Sequence, residues 1–307
     1  MKKLSVLIPV YYNEQSLPLL FDELSKVEEE LSKKEIALEL VFVDDGSGDG
    51  SLKELIKIKK QREETKIIKL VRNFGSMMAI KTGLGFITGD CFTIMAADLQ
   101  DPPELILEMV DRWLQGAKYV ICERETRDDP LSTKIFAYIY YKLLSLIVTK
   151  DYPKNGYDVA LMDQDILPYL KDSGKNINIS LLAFWLGFKP EVLYYHRRKR
   201  EHGKSRWTFY KKLNFLLNSL LGFSVAPIRV ASLMGLGVAG ISFTYGLIVF
   251  LSAIIGEREV PGFAAVACLL SFLFGVVIMM LGIIGEYLWR IFDEVNKRPD
   301  SVIDEIY

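Results

Sequence analysis

Short apolar runs alternate with segments of helical periodicity through the first 122 positions of the chain. Residues 4–10 (LSVLIPV), 38–43 (LELVFV), 65–71 (TKIIKLV), 91–97 (CFTIMAA) and 119–122 are nearly unbroken apolar or β-branched runs, the pattern of strands buried on both faces. Between them, residues 14–33 place Leu17, Leu20, Phe21, Leu24 and Val27 on one helical face. Residues 51–62, 76–87 and 102–114 read as further helices, the last with proline in its first turn. This alternation predicts an α/β fold with a mostly parallel sheet and right-handed crossovers. No internal repeat or low-complexity stretch interrupts it.

The pattern changes near the C-terminus. Residues 230–256 and 260–285 carry no charged side chain. Each would extend roughly 40 Å as a helix, enough to cross a hydrocarbon core about 30 Å thick with some tilt. The connector containing Glu257, Arg258 and Glu259 is short, so the two spans form a hairpin with both ends on one side. Residues 196–212 hold eight Lys or Arg against one Glu, and Arg290, Lys297 and Arg298 follow the second span, whereas the connector has Arg258 alone. The positive-inside bias then places both termini in the cytoplasm, with the chain multi-pass in the inner membrane. Met1-Lys2-Lys3 leads straight into a strand without a signal-peptide apolar region. Residues 133–149 and 207–225 are rich in aromatic and aliphatic side chains with a few Lys and Asn, as in amphipathic helices at a membrane surface. The expected organisation is a soluble domain over 1–206, a juxtamembrane helix over 207–228, a two-helix hairpin over 229–290 and a tail over 291–307.

Composition adds mainly exclusions. The chain has 38 basic and 39 acidic side chains and a net charge of −1, which is not that of a nucleic-acid binder. Three dispersed cysteines and two histidines exclude a disulfide framework and a His-rich metal site. Walker A, G-x-G-x-x-G and G-x-S-x-G sequences are all absent.

Ligands of open α/β sheets sit beyond the carboxyl ends of the strands. Here those ends carry Tyr11, Asn13 and Glu14; Asp44 and Asp45; Arg72 and Asn73; and Asp98, Gln100 and Asp101. Such a rim suits a diphosphate if a divalent ion lies between carboxylate and phosphate, and Asp98 with Gln100 offers oxygen ligands of the kind that Mg²⁺ or Mn²⁺ takes. Asp44 or Asp45 can instead hydrogen-bond a base or ribose.

The segments LSVLIPVYYNE (4–14), VFVDDGSGDGS (41–51), VRNFGSMMAIKTGL (71–84) and AADLQDPPELI (96–106) resemble family-2 inverting glycosyltransferases of the GT-A fold. With NGYDVALMD (155–163), the R-x-x-G-x-S-x-W element from Arg200 to Trp207 and LGIIGEYLWRI (281–291), the chain is similar to polyprenyl-phosphate glycosyltransferases over essentially its whole length. The resemblance implies transfer of one sugar from a nucleotide diphosphate sugar, of which UDP is the expected carrier, to a polyprenyl phosphate such as undecaprenyl phosphate, by a homo-oligomer. It implies that Pro9, Tyr11, Glu14, Asp45, Asn73 and Lys81 line the nucleotide pocket. Asp98 and Gln100 would bind metal and diphosphate, with Asp98 and Asp158 catalytic. Arg124 and Arg127 would grip the acceptor phosphate, and Arg200, Lys204 and Ser205 would belong to a loop closing on the donor diphosphate. Ala96 departs from the family's D-x-D motif, whose first Asp it replaces. That departure keeps open a membrane-anchored sugar-nucleotide-binding protein without turnover.

Overall fold

A computed structural model describes residues 1–125, 131–148, 152–153, 156–175, 177–198, 209–255 and 263–307. They fall into two units, residues 1–219 with 299–307, and residues 220–298.

The first unit is built on β1 (Lys2–Val10), β2 (Ile36–Asp44), β3 (Lys66–Leu70), β4 (Cys91–Ile94) and β5 (Tyr119–Arg124). Helices α1 (Leu17–Lys33), α2 (Ser51–Gln61), α3 (Ser76–Leu84) and α4 (Leu105–Leu114) connect them. The apolar runs become strands because both sheet faces are covered: Leu4, Val6, Leu7, Ile8 and Val41 are fully buried. Helix α1 buries Leu17, Leu20, Leu24, Val27 and Leu31, a single stripe at helical spacing.

Three strands escape the alternation read from the sequence. After α5 (Leu131–Ile147), β6 (Tyr157–Asp163) runs antiparallel between β4 and β5. A 3₁₀ turn, α6 (Leu167–Lys171) and α7 (Ile179–Trp185) lead to β7 (Glu191–Tyr195), parallel to β5 at one edge. The last strand, β8 (Ile303–Ile306), pairs antiparallel with β3 at the other edge. The sheet order is β7-β5-β6-β4-β1-β2-β3-β8. Residues 299–307, expected to form the end of a tail, are therefore part of the first unit. Lys69 Nζ to Asp304 (2.6 Å) and Lys81 Nζ to Asp300 (2.6 Å) fasten them.

Helix α5 buries Tyr140 and Leu144 and exposes Tyr138, Ile139 and Leu146. Helix α8 (Phe209–Phe223) follows, and its Ser219 hydroxyl lies 3.0 Å from that of Tyr140. In the second unit, α9 (Ala226–Ile255) and α10 (Phe263–Val295) contain two stretches long and apolar enough to cross a bilayer. These are Ala226–Ile248, of mean hydropathy 1.5, and Phe272–Val295, of mean hydropathy 2.0. Leu233, Leu236, Ile241, Phe243 and Ile278 stand exposed on them, a distribution suited to lipid rather than to a protein core.

Candidate active site

The rim beyond the central strands is rigid because its polar groups bind one another. At the end of β1, Asn13 Oδ1 accepts from Tyr11 N–H at 3.0 Å, and Asn13 N–H donates to Ser51 Oγ at 2.8 Å. Ser16 Oγ ties this turn to the Ala97 carbonyl at 2.6 Å. Glu14 accepts from Gly50 N–H at 3.0 Å, and a Cβ on Gly50 would stand 2.4 Å from its Oε1, so a larger residue there would displace this carboxylate. Pro9 remains within β1, one residue before its end, and the Tyr11 ring meets Tyr12 edge-on at 4.7 Å.

Asp45 is engaged by the fold itself. Its two oxygens accept from Phe74 N–H (2.7 Å) and Gly75 N–H (2.9 Å), which fixes the loop carrying Asn73. Gly46, at φ +67°, lets the two loops touch, since a Cβ there would lie 2.6 Å from the Arg72 carbonyl carbon. Burial pushes the carboxyls of Asp44 and Asp45 up, against the hydrogen bonds that each accepts. Lys81 is engaged as well, by Asp300 and by the Ser173 carbonyl. The Arg72 guanidinium stacks on Phe74 at 4.1 Å.

After β4 the chain turns sharply, with Leu99 at φ 58° and Gln100 N–H donating to Asp98 Oδ1 at 3.2 Å. Ala96 is exposed and Asp101 is buried. Asp98 and Gln100 thus bring one carboxylate and one amide oxygen to this turn, and no group of three His, Cys, Asp or Glu side chains forms a metal cluster among the described residues. Mg²⁺ is commonly held by one or two carboxylates together with substrate phosphates, so this donor set fits an ion shared with a diphosphate rather than an all-protein cage.

The other side of the site comes from β5, β6 and β7. Arg124 forks onto Asp158, with Nη2 at 2.5 Å from Oδ1 and Nε on Oδ2. The Tyr195 hydroxyl reaches Asp101 Oδ1 at 2.6 Å and Asp158 Oδ2 at 3.1 Å. Arg197 Nε stands 3.3 Å from Asp101 Oδ1. Burial, reinforced by the Asp158 charge, pushes Asp101 up. Burial alone would raise Asp158 too, but the Arg124 fork and Arg197 outweigh it and hold that carboxyl below the usual range. Arg198 pairs with Glu23 at 3.0 Å and Glu104 at 2.5 Å. Asp163 caps the 3₁₀ turn and accepts from Trp113 Nε1 at 2.8 Å.

The structure therefore gathers Asp98, Gln100, Arg124 and Asp158 around Asp101 and Tyr195. Arg127, Arg200, Lys204 and Ser205 lie outside the described residues. Reasoning from sequence missed Tyr195 and Arg197, because the edge strand that delivers them was not foreseen. The available signal was the aromatic pair Tyr194-Tyr195 directly before a basic run.

Comparison with known proteins gives this geometry a family. An uncharacterized glycosyltransferase of Synechocystis is 34% identical over 307 residues, covering 99% of this chain and 96% of that one. A bactoprenol glucosyl transferase of Shigella phage SfX is 31% identical, covering 98% of both chains. A prophage bactoprenol glucosyl transferase homolog of Escherichia coli K12 is 30% identical, covering 99% of both. Among solved structures, glucosyl-3-phosphoglycerate synthase from Mycobacterium tuberculosis in complex with Mg²⁺ and uridine-diphosphate shares the fold at a TM-score of 0.55 and 16% identity, covering 73% of this chain and 79% of that one. Residues 5–170 match the profile described as glycosyl transferase family 2. The chain is a glycosyltransferase with a GT-A-like sheet, and it belongs to glycosyl transferase family 2.

Proposed function

We propose that the protein transfers a single sugar from a nucleotide diphosphate sugar, with UDP as the carrier, to a polyprenyl phosphate at the cytoplasmic face of a membrane. The observation that carries this reading is the extent of the likeness. Bactoprenol glucosyl transferases align over 98% of the chain, apolar helices included. An enzyme whose acceptor is anchored in lipid has a use for such helices beside its catalytic unit. The same reading makes the chain a multi-pass inner-membrane protein with both termini cytoplasmic, assembled as a homo-oligomer.

An acceptor phosphate monoester is largely dianionic near neutral pH, its second pKa being about 6, and is a competent nucleophile without a strong base. It needs cationic positioning and exclusion of water. Arg124 supplies a planar fork matched to phosphate oxygens, and Arg127 is proposed as a second cation. In this reading a phosphate oxygen attacks the anomeric carbon in line. The carbon–oxygen bond to the diphosphate breaks as the new one forms, and configuration inverts without a covalent enzyme intermediate. Asp158 orients the reacting sugar or the acceptor. Pro9, Tyr11, Glu14 and Asn73 border the nucleoside, while Asp45 and Lys81 keep its walls in place. Arg200, Lys204 and Ser205 are proposed to contact the donor diphosphate. Asp98 and Gln100 would hold Mg²⁺ or Mn²⁺, which would supply neutralisation of leaving-group charge on the diphosphate.

The test is a transfer assay with the purified chain in detergent, undecaprenyl phosphate, Mg²⁺ or Mn²⁺ and a panel of UDP- and GDP-sugars. Mass spectrometry reads the product. A glycolipid formed by the parent and reduced at least about 100-fold in Asp98→Asn is the expected outcome. Nucleotide binding without product from any donor would overturn the reading in favour of a binding protein without turnover. Ala96→Asp would then distinguish a chain that lost activity through that one residue.

A further inference from the structure

One phenol joins three segments that the sequence keeps apart. The Tyr195 hydroxyl lies 2.6 Å from Asp101 Oδ1 and 3.1 Å from Asp158 Oδ2. Asp101 ends the turn that carries Asp98 and Gln100, and Asp158 stands near the start of β6, where it takes the Arg124 fork. Tyr195 is itself held from two directions. It faces Arg124 across the β5–β7 ladder, and its carbonyl accepts from Glu125 N–H at 3.0 Å. Three residues on, Arg198 N–H donates to the Gln100 carbonyl at 2.9 Å. Tyr195 is only 5% exposed and Asp101 only 4%, so water does not readily replace either partner.

We propose that Tyr195 is a positioning residue of the transfer reaction: its hydroxyl ties Asp158, on the acceptor side, to the Asp98–Asp101 turn on the donor side. It keeps Asp158 in place when the acceptor phosphate draws the Arg124 fork away. The inference rests on the function proposed above. Arg124 cannot give the same two N–H groups to a carboxylate and a phosphate at once. A carboxylate that loses a bidentate arginine and has no second partner is free to turn. A misplacement of about 1 Å at a reacting group can cost about 100-fold in rate. Tyr195 acts through Asp158 and does not touch the reacting atoms.

The experiment uses the full chain in detergent. Calorimetry with UDP counts competent sites, and glycolipid formed per site gives kcat. Tyr195→Phe keeps the ring and removes the hydroxyl. The expected result is a kcat per site lower by about tenfold to 100-fold, with UDP affinity and site number within about twofold of the parent. Introduced into Asp158→Asn, the same change costs less than about twofold, because the group through which it acts is already gone. A residue that only supports the fold would lower the number of UDP sites, or would cost the same factor in both backgrounds. Either result overturns the proposal, as does a kcat per site within about twofold of the parent. If the parent makes no glycolipid, the acceptor reading fails by itself. The role of Tyr195, which rests on that reading, then falls with it, whereas a parent that makes glycolipid and a Tyr195→Phe chain that keeps pace with it overturn the role of Tyr195 alone.

Discussion

Glu39 shows what one buried carboxylate does for this sheet. It is 7% exposed and accepts from Lys66 Nζ (2.7 Å), Ser5 Oγ (2.5 Å), Thr88 Oγ1 (2.7 Å) and Thr88 N–H (2.9 Å). Burial alone would raise its pKa, but these partners outweigh it and bring the carboxyl from 4.5 to about 2. A group depressed in this way stabilises the fold above its unfolded value near 4.5, and that contribution is lost as pH falls toward 2. Glu39→Gln should therefore destabilise the chain by about 2–3 kcal/mol at pH 7. The difference in Tm between parent and variant should narrow as pH is lowered from 5 to 3. A gap that stays constant over that range would mean that the carboxylate charge is not what Lys66 and Thr88 recognise. At this scale the sequence was informative about single groups and silent about their pairing. Asp98 and Asp158 stand out by position and motif, whereas the Arg124 fork and the Tyr195 bridge depend on strands that only the folded chain brings together.

Periodicity served well for the elements between residues 1 and 124, because strands covered on both faces are apolar without interruption and α1 has a clean stripe. It erred at the ends. The fourth strand stops at Ile94 rather than Ala97, one residue before the Met95 N–H that still donates to the Leu7 carbonyl of β1 at 3.0 Å. Strand β8 escaped notice because it is only four residues long and Asp304 and Glu305 interrupt its two isoleucines. Two predictions belong to elements. On α3, a Cβ at Gly83 would stand 2.2 Å from Leu7 Cδ1 and 2.9 Å from Val43 Cγ2. Gly83→Ala should therefore cost about 1–3 kcal/mol by lifting the helix off β1 and β2, read as a lowered midpoint of chemical unfolding. Removing residues 299–307 should uncover the β3 edge and leave Lys69 and Lys81 without their carboxylates. We expect Tm to fall by about 5 °C and self-association to rise on size-exclusion chromatography. An unchanged Tm and elution volume would make β8 a passenger.

For the whole molecule, the order of the chain constrains its placement in a membrane. Residues 1–219 and 299–307 build one sheet, and 220–298 contain both apolar helices. A sheet cannot be completed across a bilayer, so in the proposed membrane reading the ends of the helical pair emerge on the same side. Charge-free runs made the two helices evident from sequence. Their tie to the sheet was not evident, because pairing of β3 with β8 joins positions more than 230 residues apart, as in Lys69 with Asp304. An impermeant maleimide added to intact cells should label Arg258→Cys and leave Glu305→Cys unlabelled until the membrane is opened. Labelling of both from one side would contradict two crossings.

The same connectivity sets a timetable. Residues 303–306 are made after both apolar helices, so the β3 edge stays open throughout the synthesis and insertion of the hairpin. The sheet that carries the donor-side rim gains its edge strand only after the chain has been made through residue 306. The edge of β3 therefore stands open for the whole time that residues 220–298 are being made.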